Sequence, residues 1–441
     1  MFSSLLPFLF VLGVLVFVHE LGHFLLARWH GVRVLTFSLG FGPKLLKWRR
    51  GDTEYCISAI PLGGYVKMAG DVADSDANIQ GKPDEFMSKS KWQRFQIFVA
   101  GPAMNVLLAL VVMTFVLYQG ATEPLYLQRA PTVGAVIAGT AAAKAGIQPG
   151  DTVLSVAGKP LSTWEQMDME VLPRAGQEVD VVIRRNGQEQ TLRVTPDART
   201  KFKAGDMGIV PVLHPQVMAV TPGDVAEKAG LKAGDAIYAV DGDSLNSEAL
   251  IKKLGASAGK ALTFTIARGD QKLDVPVTPG KKGDIGWIGV SLSYAEVHRI
   301  EPTFWQAAKM SVDKNIEGST LIFKTLGGLL NGATSRAQLA GPIGIAQLSS
   351  DAAQAGWMAL FTLMSMLSLN LGILNLLPIP MLDGGHIFIM ALEGAARRDF
   401  SVRVKEKLLM AGFLVIMLLM VTVIYNDLTR IEWVEKLMPW R

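Results

Sequence analysis

His19-Glu20-Leu21-Gly22-His23 lies inside an apolar run from Leu5 to Leu26, and that placement limits what the chain can fold into. A helical run of this length can cross the roughly 30 Å of hydrocarbon in a bilayer. An ionisable group at mid-bilayer costs roughly 2.5 to 3.5 kcal/mol on insertion scales, so three such groups together need a partner that repays the burial. Residues four apart share one face of a helix. His19 and His23 can therefore bind one metal ion, with Glu20 in reach of the metal's water. The plainer alternative is a polar patch that packs one helix on another. A catalytic zinc site has three protein ligands and an open position, so the two His need a third ligand from elsewhere in the chain.

Half of the 441 residues are hydrophobic and 19% are charged, which indicates a multi-pass helical membrane protein with a sizeable soluble part. Four stretches are apolar enough to span: Leu5 to Leu26, Phe95 to Tyr118, Ala355 to Leu377, and Leu408 to Ile424 with its flanks. The first has no basic stretch before it and no small-residue cleavage site, so it is expected to be retained. Arg28, Arg33, Lys44, Lys47, Arg49 and Arg50 follow the first span, and Arg397, Arg398, Arg403, Lys405 and Lys407 lie between the third and fourth. The positive-inside rule then places both basic loops in the cytoplasm and both termini outside. A net charge of +4 argues for no nucleic-acid partner. The single cysteine, Cys56, cannot form an intrachain disulfide and reads as a small apolar filler.

Between about Gln128 and Ser293 the chain changes character, with frequent Gly, Pro and charge and short β-branched runs, as in a soluble insertion. It contains a repeat: Gly146, Gly150 and Gly158 recur as Gly230, Gly234 and Gly242, each 84 residues on. Each copy reads as a short helix ending at Ala-Gly, a Gly-Asp turn, an apolar strand and a second turn. The copies resemble tandem PDZ domains of the circularly permuted bacterial type, expected at 126–214 and 215–295. Such domains add an extended peptide or its C-terminus as a strand, and the expected groove strands are Val133 to Ile137 and Val217 to Val220. The alternative is that the pair only provides bulk. From Pro302 to Leu330, within a connecting region 300–350, an amphipathic helix is expected, on the membrane surface or against the soluble domains.

Near the end of the third span, in a C-terminal membrane region 351–441, the chain reads Asn375-Leu-Leu-Pro378-Ile-Pro380-Met-Leu-Asp383-Gly384-Gly385-His386. Asp383 is the candidate third ligand, in backbone freed by two Pro and followed by two Gly. If Asp383 only capped the next helix, His386 or Glu393 would have to serve.

The His-Glu-x-x-His motif in a first span, with Asn-x-x-Pro-x-Pro-x-Leu-Asp-Gly in a penultimate span, resembles the site-2 protease family of intramembrane zinc metalloproteases. The tandem PDZ insertion narrows the resemblance to its bacterial regulator-of-sigma-E (RseP) type. The resemblance implies Zn²⁺ held by His19, His23 and Asp383, Glu20 as general base, Asn375 as a substrate-positioning amide, and Pro378 and Pro380 as substrate contacts beside it. Residues Cys56 to Gly70, read as two short strands around a Gly63-Gly64 turn, resemble the family's membrane-reentrant β-hairpin. Gly63, Gly64 and Tyr65 are the expected substrate contacts on it, the edge pairing with an unwound substrate; an ordinary cytoplasmic hairpin is the alternative. Gly101-Pro102-Ala103-Met104-Asn105 resembles a further family motif and is expected to shape packing only. The expected substrates are single-span membrane proteins, namely a trimmed anti-sigma factor and remnant signal peptides, in the inner membrane, with the site near the cytoplasmic side. Two competing functions remain: a non-catalytic PDZ scaffold, and a membrane metalloprotease with Glu393 as third ligand.

Overall fold

The computed structural model describes residues 2–71, 81–198, 203–269, 271–282, 285–332, 334 and 339–429, in two compact units. One comprises 1–119, 301–327 and 336–441, and the other 120–300 and 328–335. The first unit opens with helix α1 (Phe2–Trp29), followed by strands β1 (Val34–Arg50) and β2 (Thr53–Met68) and helix α2 (Lys91–Tyr118). A capping box of Ser90 and Gln93 starts α2, satisfying backbone donors that helix geometry leaves free.

The two strands are longer than expected, and their reversal falls at Gly51-Asp52 instead of Gly63-Gly64, which lie within β2. Each strand bends, so the inner limb of β1 is flanked on both sides. Phe37, Ser38 and Leu39 face Val66, Tyr65 and Gly64 on one side and Tyr55, Cys56 and Ile57 on the other. Thr53 Oγ donates to the Val34 carbonyl (2.8 Å), and Ser38 and Ser58 share a hydroxyl hydrogen bond (3.0 Å). The 64–68 limb of β2 is thereby left at an edge of this small sheet. Buried Cys56 sits in its middle, in the filler role expected.

The second unit contains helices α3 (Ala141–Ala145), α4 (Trp164–Val171), α5 (Val225–Lys228) and α6 (Ser247–Gly255). It has two separate apolar cores, one built around Val153, Trp164, Met167 and Ile183 and one around Ile237, Leu250, Phe264 and Ile266. The repeated Gly-Asp has a physical reason in each half. Asp151 accepts a fork from Arg185 (2.7 and 2.6 Å), and Asp235 accepts one from Arg268 (2.7 and 2.7 Å). Each arginine also donates to the carbonyl of its repeat glycine, Gly146 or Gly230, at 2.7 Å. Each aspartate further accepts a backbone N–H of its own turn, from Gln148 or Lys232. Such charge-assisted forks are stronger than neutral hydrogen bonds, and the one from Arg185 holds the Asp151 carboxyl below the usual carboxylate range.

The expected groove strands are not edges. Gln216–Val220 is flanked by Ala236–Val240 and Val290–Ser293. Val133–Val136 pairs with Ile209–Pro211, while Val133 exchanges backbone hydrogen bonds with Gly150 and Asp151 on its other side. In both halves a later strand returns to cover the position, so among the described residues Ile209–Pro211 and Val290–Ser293 are the edges there, in addition to the outer strands Gln188–Val194 and Gln271–Val277. Pairing of this kind depends on residues about 75 positions apart and leaves no local signal.

The first unit resumes with α7 (Phe304–Leu330), α8 (Pro342–Ala355), α9 (Trp357–Asn375), α10 (Asp383–Ala395) and α11 (Val402–Thr429). Small residues bring α9 onto α2. Ser365 and Ser368 donate to the Ala109 and Asn105 carbonyls (2.8 and 2.7 Å), and a side chain at Gly372 would lie 3.0 Å from the Pro102 carbonyl. Asp427 accepts the N–H groups of Gly341, Ile343 and Gly344, all at 3.0 Å, which caps α8 from α11. Among the described residues four helices are long and apolar enough to cross a membrane: Leu5–Trp29, Lys91–Tyr118, Trp357–Asn375 and Arg403–Thr429. The third begins at Trp357 because Gly356, at φ 119°, separates it from α8.

Candidate metal centre

Helix α1 presents His19, Glu20 and His23 on one buried face, exposed by 8, 9 and 7%. The glycines around them have a packing reason. A Cβ on Gly22 would lie 2.3 Å from the Ala100 carbonyl, and one on Gly101 would lie 2.3 Å from His23 Nε2 and 2.9 Å from His19 Cε1. The α1 and α2 backbones thus approach through two residues without side chains, directly beside the imidazoles.

Both rings are held from behind at Nδ1. His23 Nδ1 bonds the Ile97 carbonyl at 2.7 Å, and His19 Nδ1 lies 3.2 Å from the amide nitrogen of Asn105. Asn105 is fully buried, and its Oδ1 has no hydrogen-bond partner among the described residues. Turning the amide over places Oδ1 on a His19 Nδ1–H, the tautomer that leaves Nε2 free for a metal, since amide orientation is an assignment made from the hydrogen-bond network. Sequence reasoning left Asn105 as packing. The available signal was its spacing of four from Gly101, which puts both on one face of α2. Replacing Asn105 by Leu is expected to weaken metal binding about 10–100-fold, the usual effect of losing a partner behind a ligating His. Zinc competition against a chelator measures it, and unchanged affinity would remove Asn105 from this role.

Asp383 arrives from the opposite side. Its carboxylate oxygens lie 3.3 Å from His19 Nε2 and 3.4 Å from His23 Nε2, and the two Nε2 atoms are 3.2 Å apart. The chain turns sharply after α9, through Leu377, Ile379 and Leu382 N–H bonds to carbonyls two or three residues back, with Met381 at φ 85°. Helix α10 then starts at Asp383, pressed against that turn. Side chains at Gly384 and Gly385 would lie 2.2 Å from the Leu376 and Ile379 carbonyls. The helix N-terminus is also favourable for a carboxylate.

These residues line a cavity of about 540 Å³, together with Glu20, Asn375 and the 63–66 stretch of β2. Gly64 is a point of close approach, since a Cβ there would lie 2.7 Å from the Ser38 carbonyl and 3.0 Å from Glu20 Cγ. Tyr65 stacks with Phe41, ring centroids 6.2 Å apart. The Asn375 amide lies 3.5 Å from His19 Nε2. Pro378 and Pro380, expected to contact substrate, are not among the described lining residues. They lie in the turn after α9, and the Pro380 carbonyl receives α11 at Gly412, where a Cβ would lie 2.2 Å away. The two rival ligands lie elsewhere. His386 stacks on Phe98 (4.6 Å, 4°), and Glu393 accepts hydrogen bonds from Lys405 Nζ (2.8 Å) and Phe400 N–H (2.9 Å).

His19, His23 and Asp383 form the one group among the described residues able to hold a metal ion, their donor atoms all within 4.8 Å of one another. The set fits zinc: two imidazoles with Nδ1 engaged and Nε2 turned inward, plus one carboxylate.

The model of Peptidase family M50 matches residues 7–419. The chain is 34% identical to a Neisseria meningitidis protein named as a zinc metalloprotease, covering 97% of this chain and 99% of that one. It is 33% identical to the regulator of sigma-E protease RseP of Escherichia coli, again over 97% and 99%. It is 32% identical to the regulator of sigma E protease of Haemophilus influenzae, over the same shares.

Proposed function

The chain belongs to Peptidase family M50 and is a zinc metalloprotease of the site-2 type, and from that premise we propose that it cuts single-span membrane proteins within or beside their membrane segment. The observation that carries this reading is the buried convergence of His19, Glu20, His23 and Asp383 in a cavity walled on one side by a strand. His19, His23 and Asp383 hold the ion. Zinc, when bound, supplies Lewis acidity toward a carbonyl and lowers the pKa of a water. Glu20 accepts the proton of the attacking water and delivers it to the leaving amine. The Asn375 amide orients the scissile carbonyl and donates toward its developing negative charge.

A helical substrate hides its peptide bonds, so the edge of β2 at 64–68 takes the unwound segment as an added strand, with Gly63, Gly64 and Tyr65 nearest the metal. On this reading β1 and β2 form the membrane-reentrant element. Proline at Val66 or Met68 is expected to abolish cleavage and leave zinc content normal; retained cleavage would sink the strand-pairing step.

The two halves of the soluble unit serve as a tandem PDZ pair, at 126–214 and 215–295, that screens out substrates with bulky outer domains. The protein sits in the bacterial inner membrane with this pair on the periplasmic side and the metal near the cytoplasmic face, as the basic residues after α1 and before α11 support. The sigma-E names of the relatives favour a trimmed anti-sigma factor as substrate, with remnant signal peptides as a second class. Co-expression with a single-span protein stripped of its outer domain tests the whole reading. A cut in or beside the span, absent when the outer domain is kept, is expected; equal cutting of both forms rejects the filter, and cutting of neither rejects the substrate class.

A further inference from the structure

We propose that the cleft between α4 and residues 205–209 takes an extended peptide through a lysine or arginine side chain, and not through a free C-terminal carboxylate. This rests on reading that half of the soluble unit as a peptide-binding domain. The cleft encloses about 200 Å³, with Trp164, Met167, Val171 and Met207 as apolar walls and Asp168 and Asp206 as the acidic groups in it. Beside it runs Ile209–Pro211, which among the described residues pairs with Val133–Val136 alone and so offers a free edge to an added strand.

Capture of a chain terminus needs unused backbone N–H groups, and part of this loop is already engaged. Gly208 N–H donates to Asp206 Oδ1 at 2.7 Å, and Gly205 and Asp206 pair with Ala198 and Asp197. Gly205 is packed so closely that a Cβ would lie 2.3 Å from the Val171 carbonyl and 3.0 Å from Ala175 N. A carboxylate arriving there would meet the two acids Asp168 and Asp206.

The charges point the other way. No basic residue is among those described as lining the cleft. The groups facing Asp168 are Glu165 on its own helix, Asp206 across the cleft, and the Tyr126 phenol from the 125–128 turn. Burial, and then the neighbouring acids Asp206 and Glu165, push the Asp168 carboxyl up to about 6. An ammonium or guanidinium relieves this repulsion, and its methylene stem can lie along Met167 and Val171.

The second half of the unit is an internal control. Gly286 packs on the Leu254 carbonyl as Gly205 packs on that of Val171, with a Cβ 2.1 Å away. Matching these contacts puts Ile251 in the place of Asp168 and Trp287 in the place of Asp206. The same packing therefore forms without acids at either position, and the acidic pair belongs to the first cleft alone.

The test is peptide binding to the full-length protein in detergent micelles, followed by fluorescence anisotropy. Three nine-residue β-branched peptides are compared: both ends blocked with a central Arg, both ends blocked with a central Glu, and an Ala-centred one with a free C-terminus. The Arg peptide is expected to bind about tenfold tighter than either other one at pH 7.5, and to lose that advantage as Asp168 takes up a proton below pH 6. Asp168→Asn should remove the preference and Asp168→Glu restore it, with thermal stability at pH 7.5 not lowered by the Asn variant. Tighter binding of the free C-terminus, or equal binding of Arg and Glu peptides, overturns the inference while keeping a peptide-binding domain. Binding of none of the three overturns both.

Discussion

Glu20→Gln should lower cleavage by two to four orders of magnitude and leave bound zinc unchanged. A positioned general base contributes about 10²–10⁴ in rate, or about 2.7 to 5.4 kcal/mol of barrier. The amide keeps the shape of the carboxylate, and Glu20 is not one of the three clustered donors, which are His19, His23 and Asp383. Asp383→Ala should do the reverse and empty the site, because the two imidazoles alone leave the ion without its third ligand. Metal content of the purified variants, measured beside cleavage of one single-span substrate, separates the roles. Near-normal cleavage by the Gln variant, or normal zinc in the Ala variant, would refute the assignment.

Gly101→Ala should be nearly as damaging, although it adds one carbon and no charge. Alanine is the better helix former by about 1 kcal/mol, so α2 itself gains by the change. The added Cβ, however, would lie 2.3 Å from His23 Nε2 and 2.9 Å from His19 Cε1, inside contact distance of both rings. One ring must swing away or α2 must retreat from α1, and a displacement of about 1 Å at such a site can cost on the order of 10²-fold. Loss of zinc together with cleavage is the expected result. Gly13→Ala on α1 is the control, since its Cβ meets nothing within 4 Å. Equal behaviour of the two variants would show that the close approach of α1 and α2 does not define the site.

Much of the centre is legible in the sequence, for identifiable reasons. His19, Glu20 and His23 lie within one helical turn, where spacing alone dictates a shared face, and the apolar run around them makes their burial conspicuous. Asp383 needed more, since Asp383, His386 and Glu393 are all titratable and close in sequence. Residue chemistry left the choice open, and the family resemblance supplied one of them. In the structure His386 lies against Phe98 and Glu393 is engaged with Lys405.

The misread parts depended on long-range pairing. Gly63-Gly64 has the composition of a turn, but the constraint on Gly64 is steric approach to α1 and to Ser38, which local sequence does not encode. The strands expected as edges in the second unit are covered for the same reason, because an edge is a property of the whole sheet. Asn105 was undervalued because a lone buried amide in an apolar helix reads as packing until its partner ring is in place.

The sequence by itself determined the helical spans, the repeated halves of the second unit and the pair of histidines with their glutamate, because each of these follows from periodicity, local spacing or internal repetition that is visible along the chain. Only the tertiary structure decided which acid faces the histidines, which strand edges lie open, and which glycines are points of contact, because each of these depends on how backbone segments meet in space, up to hundreds of residues apart, where a single Cβ can determine whether they fit.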